Sequence, residues 1–237
     1  MKRGAEDGGD FVVEPLGECV LLLRFGSRID TALNARVHEA SAMLRAAHLP
    51  GIVDVIPAYA TLALHYDALQ WTDGNGGLPW QHVAAAVRAI FRSPPIDVAP
   101  TLAIVEIPVC YGGEFGPDLD ALAQHAGLAS ADAISLHTAP EYRVAMLGFA
   151  PGFPYLLGLD PALHAPRRAD PRTRVPAGSV AIGGAQTGVY PSELPGGWQL
   201  IGRTPMILFD PARTAPSLLA AGTRVRFRAI AASEFEA

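Results

Sequence analysis

Between Gly148 and Pro205 the chain places 19 Gly or Pro in 58 residues. That density excludes helices of ordinary length, because Gly loses more backbone entropy on ordering and Pro removes an amide donor. The apolar pieces between the breaks, such as SVAI, WQLIG and MILF, are short. Short strands joined by frequent turns suit a β-barrel or sandwich with long ordered loops. Phe149, Phe153, Tyr155, Tyr190 and Trp198 are interleaved with the breaks, whereas a linker would be polar and poor in aromatics. The tract is therefore expected to be ordered and functional.

The first hundred residues have a different texture. CVLLLRF (19–25) reads as a buried strand, and Asp30 then heads a helical pattern with Leu33, Val37, Ala40 and Leu44 on one face, ended by Pro50 and Gly51. Ile52 to Ile56 and TLALHY (61–66) follow as a hairpin of strands. WQHVAAAVRAIF sets Val83, Val87 and Ile90 at helical spacing, SPP (93–95) closes it, and TLAIVEIPV (101–109) is strand-like. Strand, helix, strand, strand, helix, strand is the split βαβ order of ferredoxin-like folds. Short helices near Asp118–His125 and Ala131–Leu136 and a strand at YRVAML (142–147) then lead into the Gly/Pro-rich tract. The expected class is α+β, with a ferredoxin-like α/β sandwich over residues 1–105 and a β-barrel domain over 106–237.

The basic residues are 17 Arg and one Lys, Lys2. No internal lysine exists for a Schiff base, a Walker loop or a kinase-type strand lysine. With a net charge of −5, the chain lacks the basic excess that phosphate-backbone binding draws on, so nucleic acid is not an expected partner. The opening MKRGAEDGGDFVVEP has no apolar core of a secretion signal, and no stretch approaches the roughly 20 apolar residues of a membrane span. A soluble, cytoplasmic protein is expected. Cys19 and Cys110, each in or at the end of an apolar run, are expected to be buried free thiols. The seven histidines are scattered without metal-ligand spacing, so no metal site is expected.

What remains is an anion-binding design. In HAPRRADPRTRVPAGS, Arg167, Arg168, Arg172 and Arg174 fall within eight residues among Pro166, Pro171 and Pro176. A guanidinium held by a stiff loop clamps a carboxylate or phosphate with two parallel hydrogen bonds; the alternative is a solvated basic loop pairing with Asp170 and other acids. In GSVAIGGAQTGVYP, the amides around Gly183, Gly184 and Gly188 are candidates for an anion nest, with polar contacts from Ser179, Gln186 and Thr187. The alternative there is a set of tight β-turns in a barrel. Glu114, in YGGEFGPDL, is a candidate acid or base if it faces a cleft, with Pro117 at the first position of the following helix. His137, at the end of a short helix, is a candidate proton carrier or a satisfied structural residue. Trp198, in LPGGWQLIG, reads as a core or interface anchor.

At these residues the chain resembles the B subunit of bacterial ATP-dependent 5-oxoprolinase, a family whose members also go under the names allophanate hydrolase subunit 1 and KipI-type kinase inhibitor. The resemblance is carried by YGGEFGPDL (111–119), GFAPGFPYLLGL (148–159), PRRADPRTRVPAGSVAIGGAQTGVYP (166–191) and PGGWQLIGRTP (195–205), with FGSRID and PAYATLALHYD in the first half. Ala181 stands where the family often has Gly, and Gly183-Gly184 replaces a common Ala-Gly. The resemblance implies a cyclophilin-like barrel as the second domain. It implies C and A subunits as partners in a hetero-oligomer, and ATP, with Mg²⁺, as co-substrate for opening 5-oxo-L-proline to L-glutamate. In that setting Glu114, His137 and Arg172 are the candidate catalytic residues. Arg167, Ser179, Gly183, Gly184, Gln186, Thr187 and Tyr190 are the candidates for binding substrate or ATP. A KipI-type module that inhibits a histidine kinase, a subunit acting on a urea derivative, and a prolyl isomerase by analogy of barrel alone are the other readings.

Overall fold

A computed structural model describes residues 11–72, 76–92 and 104–235. The chain divides into two compact units, residues 1–101 and 102–237.

In the first unit, β1 (Val12–Pro15), β2 (Val20–Arg24), β3 (Ile52–Pro57) and β4 (Thr61–Tyr66) form an antiparallel sheet in the order β1-β2-β4-β3. Helices α1 (Thr31–Ala46) and α2 (Pro79–Arg92) complete the unit. Alternation along β2 and β4 turns Leu21, Leu23, Leu62 and Leu64 onto one face, where they are fully buried in a cluster with Val37, Leu44, Val83 and Val87 from the helices. The Asp30 side chain accepts from the Leu33 amide at 2.8 Å and caps α1, as the sequence leads one to expect.

Strands β2 and β3 joined by α1, with β4 between them, make the split βαβ. The fourth strand differs from expectation. The place beside β2 is taken by β1, from ahead of it in sequence, while the strand-like run around 101–109 supplies β5 (Val105–Tyr111), which pairs in the second unit. The 101–103 portion of that run, and the SPP at 93–95, lie outside the described residues. Both thiols are free, but Cys19 is exposed and only Cys110 is buried. Cys19 sits in the turn between β1 and β2, ahead of the apolar run it adjoins.

The second unit is a closed seven-stranded barrel. After β5 come α3 (Leu119–His125), α4 (Ser130–Thr138), β6 (Tyr142–Leu147), β7 (Pro154–Leu157), β8 (Arg172–Val175), β9 (Ser179–Gly183), β10 (Gln186–Val189), β11 (Leu194–Gly196), β12 (Gln199–Arg203), β13 (Arg224–Ile230) and a terminal turn of helix, α5 (Ala232–Phe235). The order around the barrel is β10-β7-β6-β13-β5-β12-β9, and β8 and β11 form a separate two-stranded ribbon. β13 runs parallel to β5, and the other ladders are antiparallel. MILF, expected as a strand, contributes only an isolated bridge from Phe209 to Ser217.

Strand β9 is buried at every position because both of its faces are covered. Val180 and Ile182 join Ile107, Val144, Leu156 and Phe227 in the main barrel cluster. Ala181, on the opposite face, joins Phe153, Val175, Tyr190, Trp198 and Leu200 in a second cluster. A strand buried on both faces shows a continuous apolar run, and SVAI is that run.

Candidate functional site: an arginine loop on an aromatic platform

The second cluster is the floor of the site. Phe153 packs edge-on against Tyr190 at 5.2 Å and Trp198 at 5.7 Å, and Tyr155 meets Trp198 at 5.8 Å. Two glycines admit these rings. A Cβ on Gly183 would lie 2.6 Å from three indole atoms of Trp198, and one on Gly196 would overlap the Tyr190 hydroxyl. Gly183→Ala is accordingly expected to displace the indole, shift tryptophan emission and destabilise the barrel by about 1–3 kcal/mol. Unchanged emission together with an unchanged urea midpoint would contradict this packing.

Phe149 borders the platform. The residue is 59% exposed and its ring packs edge-on to Phe153 at 5.4 Å, while its backbone takes φ +68°. A bulky residue in the left-handed region is a strained outlier of the sort that gathers at binding sites.

The arginine loop is fastened to this floor through Asp118. The Asp118 carboxylate accepts a fork from Arg172 at 2.8 and 2.9 Å, a third bond from Arg168 at 3.2 Å, and the Leu200 amide at 2.7 Å. Asp118 is only 6% exposed. It stands at the N-cap of α3, yet makes no side-chain capping bond. In the sequence it marks only the start of a short helix. The signal available was the pair Arg168 and Arg172, which need a shared acid. Backbone ties complete the fastening: Arg168 N–H donates to Gly197 O at 2.7 Å, and Gln199 Nε2 donates to Pro166 O at 2.9 Å. Arg174 pairs with Glu193 on the surface at 2.9 Å.

Arg167 is used differently. Its guanidinium lies over the Trp198 ring at 5.9 Å. Its charge, with that of Arg172, opposes the burial that raises the Tyr190 phenol above its ordinary value. A backbone hydrogen bond from Trp198 acts in the same direction as the two arginines. Tyr155 is likewise raised by burial, with Arg167 opposing. Both phenols are neutral near pH 7.

The remaining candidates are placed elsewhere. Arg172 spends its fork on Asp118, so it anchors the loop rather than presenting a free cation. Gly183 and Gln186 pair across a two-residue hairpin whose first turn residue, Gly184, takes φ +65°. The Gly184 amide donates to Ala165 O at 2.8 Å. Gly183 and Gly184 therefore serve a close ring contact and a turn, and the Gly184 amide is spent on Ala165 rather than presented to an anion. Ser179 is buried in β9, with Arg203 opposite it on β12. Glu114 is exposed in the turn before α3, and among the described residues no hydrogen bond or ion pair joins it to the arginine loop. Pro117 stands ahead of the first helical residue, Leu119, rather than at it.

His137 is 1% exposed and its ring packs against Phe227 at 4.6 Å, inside the barrel cluster. Thr187 Oγ1 donates its proton to Ala181 O at 3.1 Å, so it accepts from His137 Nε2–H at 3.0 Å. Nδ1 is then left to accept the Tyr111 hydroxyl at 2.7 Å. Burial pushes the imidazole down to about 3 and holds it neutral. His137 and Thr187 are thus an internal hydrogen-bonded chain, and the expected proton carrier is sealed from solvent. Among the described residues no three His, Cys, Asp or Glu side chains gather to hold a metal, and no helix is long and apolar enough to cross a membrane.

Comparison with known proteins agrees with this architecture. The family model "Carboxyltransferase domain, subdomain C and D" matches residues 11–219. The chain is 43% identical over 238 residues to the 5-oxoprolinase B subunit of Bacillus subtilis (strain 168), covering 96% of each. It is 41% identical over 220 residues to the 5-oxoprolinase B subunit of Escherichia coli O157:H7, covering 90% of this chain and 93% of that protein. The crystal structure of TTHA0988 superposes with a TM-score of 0.76 at 39% identity over 90% of this chain, which spans only 40% of that longer one. By the length of the family match and by identities sustained across both units, the chain belongs to the carboxyltransferase subdomain C and D family, alongside the B subunits of 5-oxoprolinase.

Proposed function

We propose that this chain is the B subunit of an ATP-dependent 5-oxoprolinase, a cytoplasmic hetero-oligomer that opens 5-oxo-L-proline to L-glutamate together with C and A subunits. The observation that carries the reading is 43% identity over 96% of both chains with a protein of that name. The length of TTHA0988 beyond the matched 40% supports a module that works beside further chain.

A lactam amide is a poor electrophile, and phosphoryl transfer from ATP to its oxygen makes ring opening by water feasible. Such an enzyme acts chiefly by positioning its reactants and stabilising charge on the transferring group. The side chains of this unit favour a division of labour. Three of the four loop arginines are committed to Asp118 and Glu193, and the Gly184 amide is committed to Ala165. The nucleotide, with Mg²⁺ held by its phosphates, is therefore assigned to the assembled complex rather than to this chain alone. Arg172 acts by holding the loop, and Arg167 and the aromatic platform face the substrate.

The test is 5-oxoproline-dependent release of ADP by this chain alone and after mixing with 5-oxoprolinase C and A subunits. Release of ADP and glutamate only in the mixture is the expected result. No stimulation in any mixture of folded subunits would overturn the assignment and favour the regulatory or urea-derivative reading.

A further inference from the structure

We infer that Arg167, seated on Trp198 beside Tyr155 and Tyr190, binds the carboxylate of the small ring substrate, and that Asp118 is the positioning residue that holds it there. The inference rests on the functional reading above and assigns that reading a place on this chain.

Of the four loop arginines, Arg167 is the one that, among the described residues, pairs with no carboxylate and donates no hydrogen bond. Its position is nevertheless set. The residue before it is held through Pro166 O by Gln199, and the residue after it through both the Arg168 amide and the Arg168 side chain. The guanidinium rests on an indole that is itself wedged against Gly183. With the backbone tied on both sides and the guanidinium seated on the indole, the side chain has less freedom to lose on binding than one on an untied loop. Its planar fork matches a carboxylate. The exposed ring of Phe149 and the half-buried Tyr155 offer flat apolar walls with a phenol at one edge. Together these features suit a compact anion: a carboxylate on a small, nearly planar, uncharged amide ring. A nucleotide would need more than one free cation.

Asp118 reaches the site through its clamp. Without its charge, Arg168 and Arg172 lose their common acceptor, and the segment carrying Arg167 keeps only the Arg168 amide bond to Gly197 O on its C-terminal side.

The experiment compares wild type, Arg167→Ala, Arg167→Lys and Asp118→Asn in the assembled complex. It measures KM and kcat for 5-oxo-L-proline, and inhibition by 2-pyrrolidone, the same ring without the carboxylate. Loss of a charge-assisted contact predicts that Arg167→Ala raises KM on the order of 10- to 100-fold. The 2-pyrrolidone inhibition constant should then move less than about threefold. Arg167→Lys recovers part of the loss, and Asp118→Asn raises KM by a smaller factor with pyrrolidone inhibition again unmoved. A KM for Arg167→Ala within about twofold of wild type would overturn the site. So would a parallel rise in KM and the pyrrolidone constant, which would mark damage to the platform. Loss of co-elution with the C and A subunits would assign Arg167 to an interface between subunits and overturn the site as well. A wild-type complex that leaves 5-oxoproline untouched would be the distinct failure of the functional reading, and the site's ligand would fall with it.

Discussion

Acidification from pH 6.5 towards 3 is expected to strip the barrel of roughly 4–5 kcal/mol through His137 alone. The imidazole is held down to about 3 in the folded chain by burial, against an ordinary value of 6.5. Between those values the unfolded chain takes up a proton that the native one refuses, so stability is complete above pH 6.5 and falls as pH drops through the window. Other groups titrate in the same range, so the informative quantity is a difference. His137→Gln keeps a polar side chain without a titration, and at pH 7 it should cost about 1–3 kcal/mol through poorer packing and hydrogen bonding to Tyr111 and Thr187. As pH falls to 4, that deficit should shrink by about 1.4 kcal/mol per unit and then change sign. Urea unfolding of both proteins from pH 7 to 4 measures it. Parallel stability curves would show that the folded chain leaves the His137 imidazole at its ordinary value and that burial does not hold it neutral.

Removing Asp118 is expected to be the other large loss. Asp118→Ala deletes the acceptor of four hydrogen bonds and leaves Arg168 and Arg172 as neighbouring cations beside an unpaired Leu200 amide. Breaking a fully buried pair costs about 3–5 kcal/mol. The Arg172 and Arg168 side chains retain 24% and 35% of their exposure, so water screens part of the penalty and about 2–4 kcal/mol is the expectation. Asp118→Asn should lie between wild type and Ala, because its amide oxygen still accepts from Leu200. The Ala deficit should narrow in high salt as the exposed guanidiniums are screened from each other. Equal midpoints for wild type and Ala, within about 0.5 kcal/mol, would mean that the clamp contributes nothing net to stability.

Much of the local structure was legible. Asp30 and the spacing of Val37, Ala40 and Leu44 specify α1 and its buried stripe, and YRVAML is β6 from end to end. Six strands, β1, β7, β8, β10, β11 and β13, were not legible as such. β1 is four residues long and half-buried, with little periodicity to detect. In β13, RVRFRAI, the alternation is present, since Val225 and Phe227 are buried while Arg224, Arg226 and Arg228 are exposed, but only two buried apolar residues carry it. The destination of the 101–109 run was a different failure: its pattern says strand, and nothing in that pattern says which sheet.

The site divides along the same line. The arginine loop, the glycine hairpin and the interleaved aromatics stand out as motifs in the chain itself. Which arginine is free does not, because it depends on Asp118, which lies 50 and 54 positions from its two partners. The role of His137 depends on Thr187, 50 positions away. By itself, the sequence determined the four longer helices, about half of the strands, the α+β class and the residues around which a site would form, because capping, periodicity and backbone freedom act within a few positions of each residue. The tertiary structure alone decided that β5 closes the barrel, that His137 is sealed neutral inside it, and that Asp118 takes up Arg168 and Arg172 and leaves Arg167 facing outward. Those outcomes are set by which distant strands and side chains meet when the barrel closes, and burial and charge pairing follow from that closure rather than from any local window of sequence.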